Sequence, residues 1–551
     1  MRHGGKILVD QLAINGVETV FTVPGESFLA ALDGLHGAGI KTIICRQEGG
    51  ASMMAEAWGK LRGRPGICMV TRGPGAANAM AGLHVAQQDS TPMILFLGMP
   101  AAEHEDREAF QEMEVKSVFG TFVKWVAVVR DTKRIPEYVS RAFHVAQSGR
   151  PGPVVLGLPE DMLSADAETP DAKRAEPAWS APSAHAMADL AHKLEGAKRP
   201  MMIVGGPGWT RANQLLCQQA ADRLGLPVAC AFRYQDYIDN RHPNFAGTVG
   251  IGIDPKLQAA IRESDLLIVV GARMGEMTTQ GYTLLDIPNP KQVFVHVHPS
   301  PDELGTVYRA DLPIVSGPGP FLEALANLPV KPDAGAKARI ASLHKQAEDY
   351  RKPVATPGQV KLEEVMLTVS KRASENAIIT NGAGNYAAFL HRYFQYKQYR
   401  SCVAPTSGSM GYGLPAAIAA KLAFPDREVF NFGGDGCFMM TVQELATAVQ
   451  YDLRIVTVVV NNGMYGTIRM HQERDYPARV IGTELKNPDF AALARSFGAH
   501  GETVTNTAEF EAAFERARAA RTAAIIEVRT DPEAIAVTKT ITDLRKAATK
   551  G

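Results

Sequence analysis

Two stretches of sequence decide the fold: Val429-Phe430-Asn431-Phe432-Gly433-Gly434-Asp435-Gly436 and Ile455-Val456-Thr457-Val458-Val459-Val460-Asn461-Asn462. Each is an apolar run, typical of a buried strand, that ends in residues typical of a turn. The chain between them is long enough for one helix and one strand. The two turns can therefore lie side by side at one edge of a parallel sheet.

The side chains at these turns suit a divalent ion and a diphosphate. Asp435 offers a carboxylate oxygen and Asn462 an amide oxygen, which are the hard ligands that Mg²⁺ takes in proteins. Gly434 and Gly436 let the backbone approach a diphosphate, and the helix expected from Cys437 offers free N–H groups. Either turn alone is an ordinary strand-to-helix connection. The pair at this spacing indicates a binding site.

The bulk composition points to an enzyme of several domains. At 551 residues the chain is too long for one core, which predicts about three domains. Its 58 basic and 58 acidic residues balance, so no field favours nucleic acid or an anionic membrane. No secretory signal or bilayer-length apolar run is present, and we expect a cytoplasmic protein. The six cysteines lack metal-ligand spacing and are predicted to be reduced core thiols.

Strand-like runs alternate with helix-like runs in three segments. This pattern predicts an α/β fold of three domains, each with a mainly parallel sheet flanked by helices. We expect the N-terminal, central and C-terminal domains at residues 1–165, 190–330 and 358–535. Polar segments at Ser164–Ser183 and Lys331–Gln359 are predicted linkers, and Thr538–Gly551 is expected to be peripheral.

The predicted strands are short apolar runs followed by turn residues. They cover Val20–Val23, Lys41–Cys45, Gly66–Val70, Pro92–Leu97, Met201–Val204, Leu266–Val270, Val293–His298, Ala377–Thr380, Cys402–Ala404, Val429–Gly433, Ile455–Val460 and Ala523–Val528.

Further motifs occur in a fixed order along almost the whole chain. They are Arg46-Gln47-Glu48-Gly49-Gly50-Ala51, Arg72-Gly73-Pro74-Gly75-Ala76, Asp89-Ser90-Thr91-Pro92, Ala109-Phe110-Gln111-Glu112, Gly149-Arg150-Pro151-Gly152-Pro153, Gly271-Ala272-Arg273 and Gly408-Ser409-Met410-Gly411-Tyr412-Gly413-Leu414-Pro415-Ala416. With the opening pair, they resemble the thiamine diphosphate-dependent decarboxylases and carboligases, and most closely the acetolactate synthase-like enzymes.

The resemblance implies roles for three residues that face the pyrimidine ring of thiamine diphosphate. Glu48 would hydrogen-bond the ring and shuttle a proton to it. A buried carboxylate suits that work, because desolvation favours its protonated form. Met410 would wedge between the two rings of the cofactor, and the backbone of Gly408 and Met410 would hold the pyrimidine edge. In this resemblance the N-terminal domain binds the pyrimidine.

The resemblance assigns the diphosphate and the metal to the C-terminal domain. Mg²⁺ would be held by Asp435, Asn462 and the backbone carbonyl of Met464. The cofactor-binding residues on this side would be Gly434, Asp435, Gly436, Cys437, Asn462, Met464 and Tyr465.

The implied reaction starts from a small 2-oxo acid, which loses carbon dioxide and is then joined to a carbonyl acceptor or protonated. In this family the pyrimidine-side and diphosphate-side loops come from different chains. The resemblance therefore implies a homodimer as the smallest catalytic unit, and a homotetramer is common.

Two further residues are catalytic candidates. Related decarboxylases carry an acid at the position of Glu26, where acetolactate synthases usually have glycine. Glu26 is therefore either catalytic or a helix cap. Gln111, with Phe110 and Lys124, matches positions that line the acetolactate synthase pocket. An ordinary surface role for Lys124 stays open.

Other positions depart from the acetolactate synthases. Met277 stands where they carry an arginine in the substrate and flavin region, and His471 stands where they carry a tryptophan. FAD binding through the central domain therefore stays open, and acetolactate itself is not implied as the product. Ser90-Thr91 replaces the paired histidines of pyruvate decarboxylases.

Three alternative functions are compatible with parts of the pattern. The first is a thiamine-dependent lyase that cleaves a 2-hydroxy ketone or a 2-hydroxyacyl thioester. The second is a catalytically silent subunit, against which Glu48, Asp435 and Asn462 argue. A dinucleotide-dependent oxidoreductase is disfavoured, because Gly205-Gly206-Pro207-Gly208 lacks the glycine spacing of that fingerprint.

Overall fold

The structure is a computed structural model that describes residues 1–549. Of the predicted peripheral tail, Lys550 and Gly551 lie outside the described residues.

Residues 1–178 contain eight strands and seven α-helices. The strands are β1 (Arg2–His3), β2 (Thr19–Thr22), β3 (Lys41–Ile44), β4 (Gly66–Val70), β5 (Met93–Met99), β6 (Trp125–Val128), β7 (Pro153–Pro159) and β8 (Asp166–Ala167). The helices are α1 (Gly4–Ile14), α2 (Leu29–Leu35), α3 (Glu48–Arg62), α4 (Gly73–Asp89), α5 (Val115–Phe119), α6 (Ile135–Gln147) and α7 (Glu160–Ser164).

The central part of the chain continues the alternation of helices and strands. Its elements are α8 (Ala184–Gly196), β9 (Pro200–Val204), α9 (Arg211–Leu224), β10 (Val228–Cys230), β11 (Phe245–Thr248), α10 (Pro255–Glu263), β12 (Leu266–Val270), β13 (Val293–His298), β14 (Leu312–Val315), α11 (Pro318–Ala326) and α12 (Ala336–Tyr350).

The last part of the chain repeats the same pattern. Its elements are α13 (Leu362–Arg372), β15 (Ile378–Asn381), α14 (Tyr386–Tyr393), β16 (Cys402–Val403), α15 (Gly413–Ala423), β17 (Val429–Gly434), α16 (Asp435–Phe438), α17 (Glu444–Gln450), β18 (Val456–Asn461), α18 (Gly466–Asp475), α19 (Phe490–Ser496), β19 (His500–Val504), α20 (Thr507–Ala519), β20 (Ala524–Arg529) and α21 (Ile541–Ala548).

Three six-stranded parallel sheets organise these elements. Their strand orders are β3-β2-β4-β5-β7-β6, β11-β10-β9-β12-β13-β14 and β16-β15-β17-β18-β20-β19. A small antiparallel pair joins β1 to β8. Strands inside such sheets are covered on both faces by helices, so they read as continuous apolar runs. The three-domain α/β fold predicted from those runs is confirmed.

Strands at sheet edges give a weaker apolar signal. All seven residues of β5 are buried, whereas most side chains of the edge strands β6 and β19 are only partly buried. The inner strands were therefore the easier ones to predict.

Two sequence predictions are wrong. The supposed linker at 331–359 contains the helix α12, whose few buried residues, including Leu343 and Ala347, carry little apolar signal. The tail expected to be peripheral contains α21, in which Ile541 and Leu544 are buried. In both cases the chain uses two or three apolar contacts to hold a mostly polar helix.

The chain divides into two compact units. The first comprises Met1–Ala178, Pro405–Pro425 and Thr441–Leu453, and the remaining described residues belong to the second. Within the first unit α15 packs against α3, although α15 is far away in sequence. All six cysteines are buried and free, as predicted.

None of the helices in residues 1–549 has the length and apolar character needed to cross a membrane.

Candidate functional site

The two turns of the opening stretch lie at the same sheet edge. Strands β17 and β18 pair in parallel, with Gly434 opposite Val460. Asp435 follows the end of β17 at once, and Asn461 is the last residue of β18. The adjacency predicted from the sequence is therefore present in the second unit.

Asp435 is the centre of this edge and is buried. Its Oδ1 accepts the Gly436 N–H at 2.9 Å, and its Oδ2 accepts the Gly463 N–H at 2.9 Å. The Asn487 amide donates to the same Oδ2 at 2.7 Å. Burial raises the pKa of Asp435, and these donors oppose that shift. A cation here would further favour the charged carboxylate.

Asn461 and Asn462 make different hydrogen bonds. The Asn461 Oδ1 accepts the Gly463 N–H at 3.1 Å, and its amide donates to the buried Glu527 at 2.7 Å. The half-buried Asn462 has one such contact, in which its Oδ1 accepts the Met464 N–H at 3.2 Å. Asn461 therefore holds the turn, whereas Asn462 is the better placed of the two to bind a ligand.

Steric contacts explain the glycines at this edge. A Cβ on Gly434 would lie 3.1 Å from the Tyr386 ring, and a Cβ on Gly436 would lie 2.6 Å from the Tyr465 ring. The buried Cys437 packs its Sγ 3.5 Å from the Tyr386 hydroxyl. Tyr465 thus lies against the glycine turn, while Cys437 contributes to the packing behind it.

The donor set at this edge fits Mg²⁺. One carboxylate (Asp435), one amide oxygen (Asn462) and the Met464 carbonyl are hard oxygen donors on neighbouring turns. Mg²⁺ takes few protein ligands and fills its octahedron with water and phosphate oxygens. Residues 1–549 hold no group of three or more His, Cys, Asp or Glu side chains that could bind a metal in another way.

Asn487 belongs to this edge but has no local sequence signal. Its amide donates to both Asp435 and Asn461, at 2.7 and 3.0 Å. It comes from the loop before α19, far along the chain from Asp435. Only the folded chain brings the three residues together.

In the first unit, Glu48 is the first residue of α3. The Gln47 side chain caps this helix by accepting the Gly50 N–H. The Glu48 Oε2 accepts a hydrogen bond from the Asn78 amide at 2.9 Å. In the single chain Glu48 is half-buried rather than buried, so its carboxylate can reach a ligand.

A buried acid, Glu444, anchors the turn before Glu48. Its carboxylate accepts the Arg46 N–H at 3.1 Å and the Thr447 hydroxyl at 2.7 Å. Burial raises the pKa of Glu444, opposed by these donors. This residue lies on α17, and its role could not be read from the sequence around Glu48.

Glu26 forms an ion pair and does not cap its helix. Its Oε1 lies 3.2 Å from the Arg72 guanidinium, which also binds Glu160 at 2.6 Å. No side chain caps the short helix that begins at Glu26. Arg72 is buried, whereas the Glu26 side chain is 69% exposed. The helix-capping alternative is therefore wrong, and Glu26 keeps a carboxylate open to a ligand.

Gln111 lies close to this ion pair. Its backbone has φ of 60°, and its carbonyl accepts the Gly73 N–H at 2.9 Å. Phe110 is exposed, with the Arg72 guanidinium 6.0 Å from its ring centre. The loop that carries Gln111 therefore contacts the loop after β4.

Lys124 has an ordinary structural role in the described chain. Its Nζ donates to the carbonyls of Val145 and Ser148, at the C-terminal end of α6, the latter at 2.6 Å. Burial lowers the pKa of Lys124 to about 8. Lys124 satisfies carbonyls that the helix leaves open.

Gly408 and Met410 lie in the irregular segment between β16 and α15. Gly408 has φ of 68° and is exposed, and Met410 is half-buried. A Cβ on Gly408 would meet no atom within 4 Å. The tip of this segment is therefore accessible from outside the unit.

The positions that depart from the acetolactate synthases are solvent-accessible. Met277 is 37% exposed, and the nearby Arg273 pairs with Glu303 at 3.2 Å. His471 is exposed on α18.

On the same helix as His471, the buried Glu473 binds Arg469 and Arg545. These contacts, led by Arg545, lower the pKa of Glu473 to about 2. Helix α18, which follows the turn after β18, is thereby joined to α21.

Comparison with known families agrees with these features. The family model described as "Thiamine pyrophosphate enzyme, N-terminal TPP binding domain" matches residues 2–118. The models for the central domain and for the C-terminal TPP binding domain match residues 187–325 and 382–528. Thiamine pyrophosphate (TPP) is thiamine diphosphate, so the cofactor inferred from the motifs is confirmed.

Curated relatives match along most of the chain. The acetolactate synthase large subunit of Parasynechococcus marenigrum (strain WH8102) is 32% identical over 91% of this chain and 83% of its own length. The acetolactate synthase isozyme 2 large subunit of Escherichia coli (strain K12) is 31% identical over 93% of each chain. The chain therefore belongs to the acetolactate synthase family of thiamine pyrophosphate enzymes.

Proposed function

We propose that the protein is a thiamine diphosphate- and Mg²⁺-dependent carboligase or decarboxylase of a small 2-oxo acid. The observation that carries the proposal is the edge formed by Asp435, Gly436 and Asn462, where a buried carboxylate, a glycine backbone and an amide oxygen meet. The donor chemistry of this edge suits a metal-bound diphosphate.

Thiamine diphosphate, when bound, supplies the carbon nucleophile and the electron sink that decarboxylation of a 2-oxo acid needs. The chain's own residues orient it. Asp435, Asn462 and the Met464 carbonyl would hold the metal, and the backbone of Gly434 and Gly436 would approach the diphosphate. The Glu48 carboxylate would exchange a proton with a pyrimidine ring nitrogen.

On the substrate side, we assign Glu26 and Gln111 to the pocket. The Arg72 guanidinium, 3.2 Å away, holds the Glu26 carboxylate in place. Glu26 can then give or take a proton at the carbon that forms or breaks a bond. The relatives are named for acetolactate, so small 2-oxo acids are the first substrates to test.

We also propose that catalysis needs at least two chains, with a homotetramer as the larger form. The motifs resemble those of enzymes in which the acid at the position of Glu48 in one chain forms an active site together with the metal-binding edge of a partner chain. The likeness of the sequence supports this arrangement.

A product analysis tests the proposed function. The purified protein, supplied with thiamine diphosphate and Mg²⁺, is incubated with pyruvate and other 2-oxo acids, alone and with aldehydes. We expect release of carbon dioxide with an aldehyde or a 2-hydroxy ketone as product. Cleavage of 2-hydroxy ketones or 2-hydroxyacyl thioesters without decarboxylation would instead favour the lyase. The absorbance spectrum of the same sample reports whether flavin is bound.

Replacing Glu48 with glutamine should remove its proton transfer while keeping its shape. We expect Glu48→Gln to lower kcat about 10²–10⁴-fold, the usual range for general acid–base catalysis. Glu103→Gln is the matched control, because Glu103 is 81% exposed at the surface. Wild-type turnover in Glu48→Gln would exclude the assigned role.

Replacing Asp435 with asparagine should weaken Mg²⁺-dependent cofactor binding. Equilibrium dialysis of thiamine diphosphate should show a loss of at least tenfold, as is usual when a charged contact is removed. Asp33→Asn, at a side chain that is 76% exposed, serves as the control.

The same assay has a pH dependence. Metal binding needs the carboxylate, and protonation competes as pH falls through the pKa of Asp435. Because burial raises that pKa, wild-type affinity should begin to fall at a higher pH than an ordinary aspartate would give. Affinity that is unaffected by both Asp435→Asn and Mg²⁺ removal would contradict the assignment.

Hybrid enzymes test the shared site. Chains carrying Glu48→Gln and Asp435→Asn are co-expressed with different tags, and the mixed dimer is purified. One of its two sites would then contain both native residues, so about half of the wild-type activity should return. A mixed dimer as inactive as the two parent variants would show that each site lies within one chain.

A further inference from the structure

A buried ionic cluster in the first unit contains none of the residues of the diphosphate edge, which is the sheet edge formed by Asp435, Gly436 and Asn462. Glu56 and Lys60 are on α3, one turn apart, and Asp89 is the last residue of α4. The Lys60 Nζ binds Asp89 and lies 3.4 Å from Glu56 Oε1. Both carboxylate side chains are fully buried. Burying two acids around one lysine is costly, so their remaining hydrogen bonds matter.

Those hydrogen bonds go to the segment that carries Gly408 and Met410. We call Pro405–Tyr412 the 410 loop. Asp89 Oδ1 accepts the Thr406 N–H at 2.9 Å, and the Thr406 hydroxyl donates to the same oxygen. Glu56 Oε2 accepts the Tyr412 hydroxyl at 2.5 Å. The two acids therefore bind the two ends of this loop.

Further contacts strengthen both attachments. The Thr91 hydroxyl donates to Glu56 Oε1 at 2.6 Å, and the Lys60 Nζ lies 5.4 Å from the centre of the Tyr412 ring. The Thr441 hydroxyl donates to the Gly411 carbonyl at 2.6 Å. Each carboxylate oxygen of the two acids thus has at least one polar partner, and Tyr412 is fully buried.

In the middle of the 410 loop, two hydrogen bonds are local ones: the Gly408 N–H donates to the Pro405 carbonyl at 3.1 Å, and the Ser409 hydroxyl donates to the Met410 carbonyl at 3.3 Å. The loop contains no helix or strand, and Gly408 and Gly411 both have positive φ, at 68° and 80°. Gly408 is exposed. A segment without regular hydrogen bonding keeps one conformation only if its ends are fixed. The cluster fixes those ends on both sides of Met410.

We propose that Glu56, Lys60 and Asp89 form a clamp that holds the 410 loop in the conformation that presents Gly408 and Met410 to thiamine diphosphate. This inference rests on the proposed function. The three residues are positioning residues, since they act through Thr406 and Tyr412. A loop held in its binding conformation before the cofactor arrives loses little entropy on binding.

The clamp also gives a structural role to two motifs that have no role in the proposed mechanism. Asp89-Ser90-Thr91-Pro92 supplies Asp89 and Thr91, and Gly411-Tyr412 supplies the loop end. Helix α3 carries Glu48 at its first residue and the clamp two turns later. One helix thus supports both the acid and the 410 loop.

The test removes the loop side of the clamp and leaves the buried charges in place. Tyr412→Phe removes one hydroxyl but keeps the ring, and Thr406→Val removes another. Thr132→Val is the matched control, because its hydroxyl bonds the Met162 carbonyl in the same unit and outside the clamp. Thiamine diphosphate affinity with Mg²⁺ is measured by equilibrium dialysis, and the melting temperature of each apoprotein is recorded.

We expect Tyr412→Phe and Thr406→Val each to weaken thiamine diphosphate binding about tenfold, the effect of losing a hydrogen bond to a charged group. The circular dichroism of the bound cofactor should change as well, because its rings are held differently. Thr132→Val should lower the melting temperature and leave both readouts unchanged.

One outcome would contradict the clamp, and a different outcome would contradict the proposed function. Wild-type affinity and circular dichroism in both loop variants, with only a lower melting temperature, would make the cluster purely structural. Wild-type protein that fails to bind thiamine diphosphate would instead contradict the proposed function. If Tyr412→Phe does not fold, Thr406→Val decides, because it retains the Thr406 backbone hydrogen bond to Asp89.

Discussion

The hydrogen bond from the Gly463 N–H to the Asp435 carboxylate is the contact on which the diphosphate edge depends. It joins the turn after β17 to the turn after β18, and Asn487 binds both sides of that junction. Because Asp435 is buried, its charge is tolerated only with such donors or a cation. The same arrangement therefore fixes the backbone and creates a place for a metal-bound diphosphate.

In the first unit, buried acids likewise hold irregular segments in place. Glu444 holds the turn before Glu48, and Glu56 and Asp89 hold the ends of the 410 loop. In each case a carboxylate accepts hydrogen bonds from irregular backbone or from its side chains. The residues expected to meet the cofactor stay accessible, since the anchoring groups lie behind them. Buried anchoring groups thus hold accessible residues in fixed positions.

The inner strands and the three sheets could be predicted because strands covered on both faces leave long apolar runs, as in Val456–Asn461. Asp435, Asn462 and Glu48 could be proposed because motifs mark them. Helix α12 escaped prediction, since few of its residues are apolar, and Asn487 and Glu444 escaped because they reach their partners only through the fold. The ion pair between Glu26 and Arg72 likewise joins separate loops, so the sequence left capping and catalysis equally open.

The central claim is that the edge around Asp435 binds the diphosphate of the cofactor through Mg²⁺. A crystal structure of the protein with thiamine diphosphate and Mg²⁺ tests it most directly. We expect the metal at about 2.1 Å from oxygens of Asp435, Asn462 and the Met464 carbonyl, with phosphate oxygens and water completing its octahedron. A cofactor bound elsewhere, or a diphosphate whose metal touches none of these oxygens, would contradict the account.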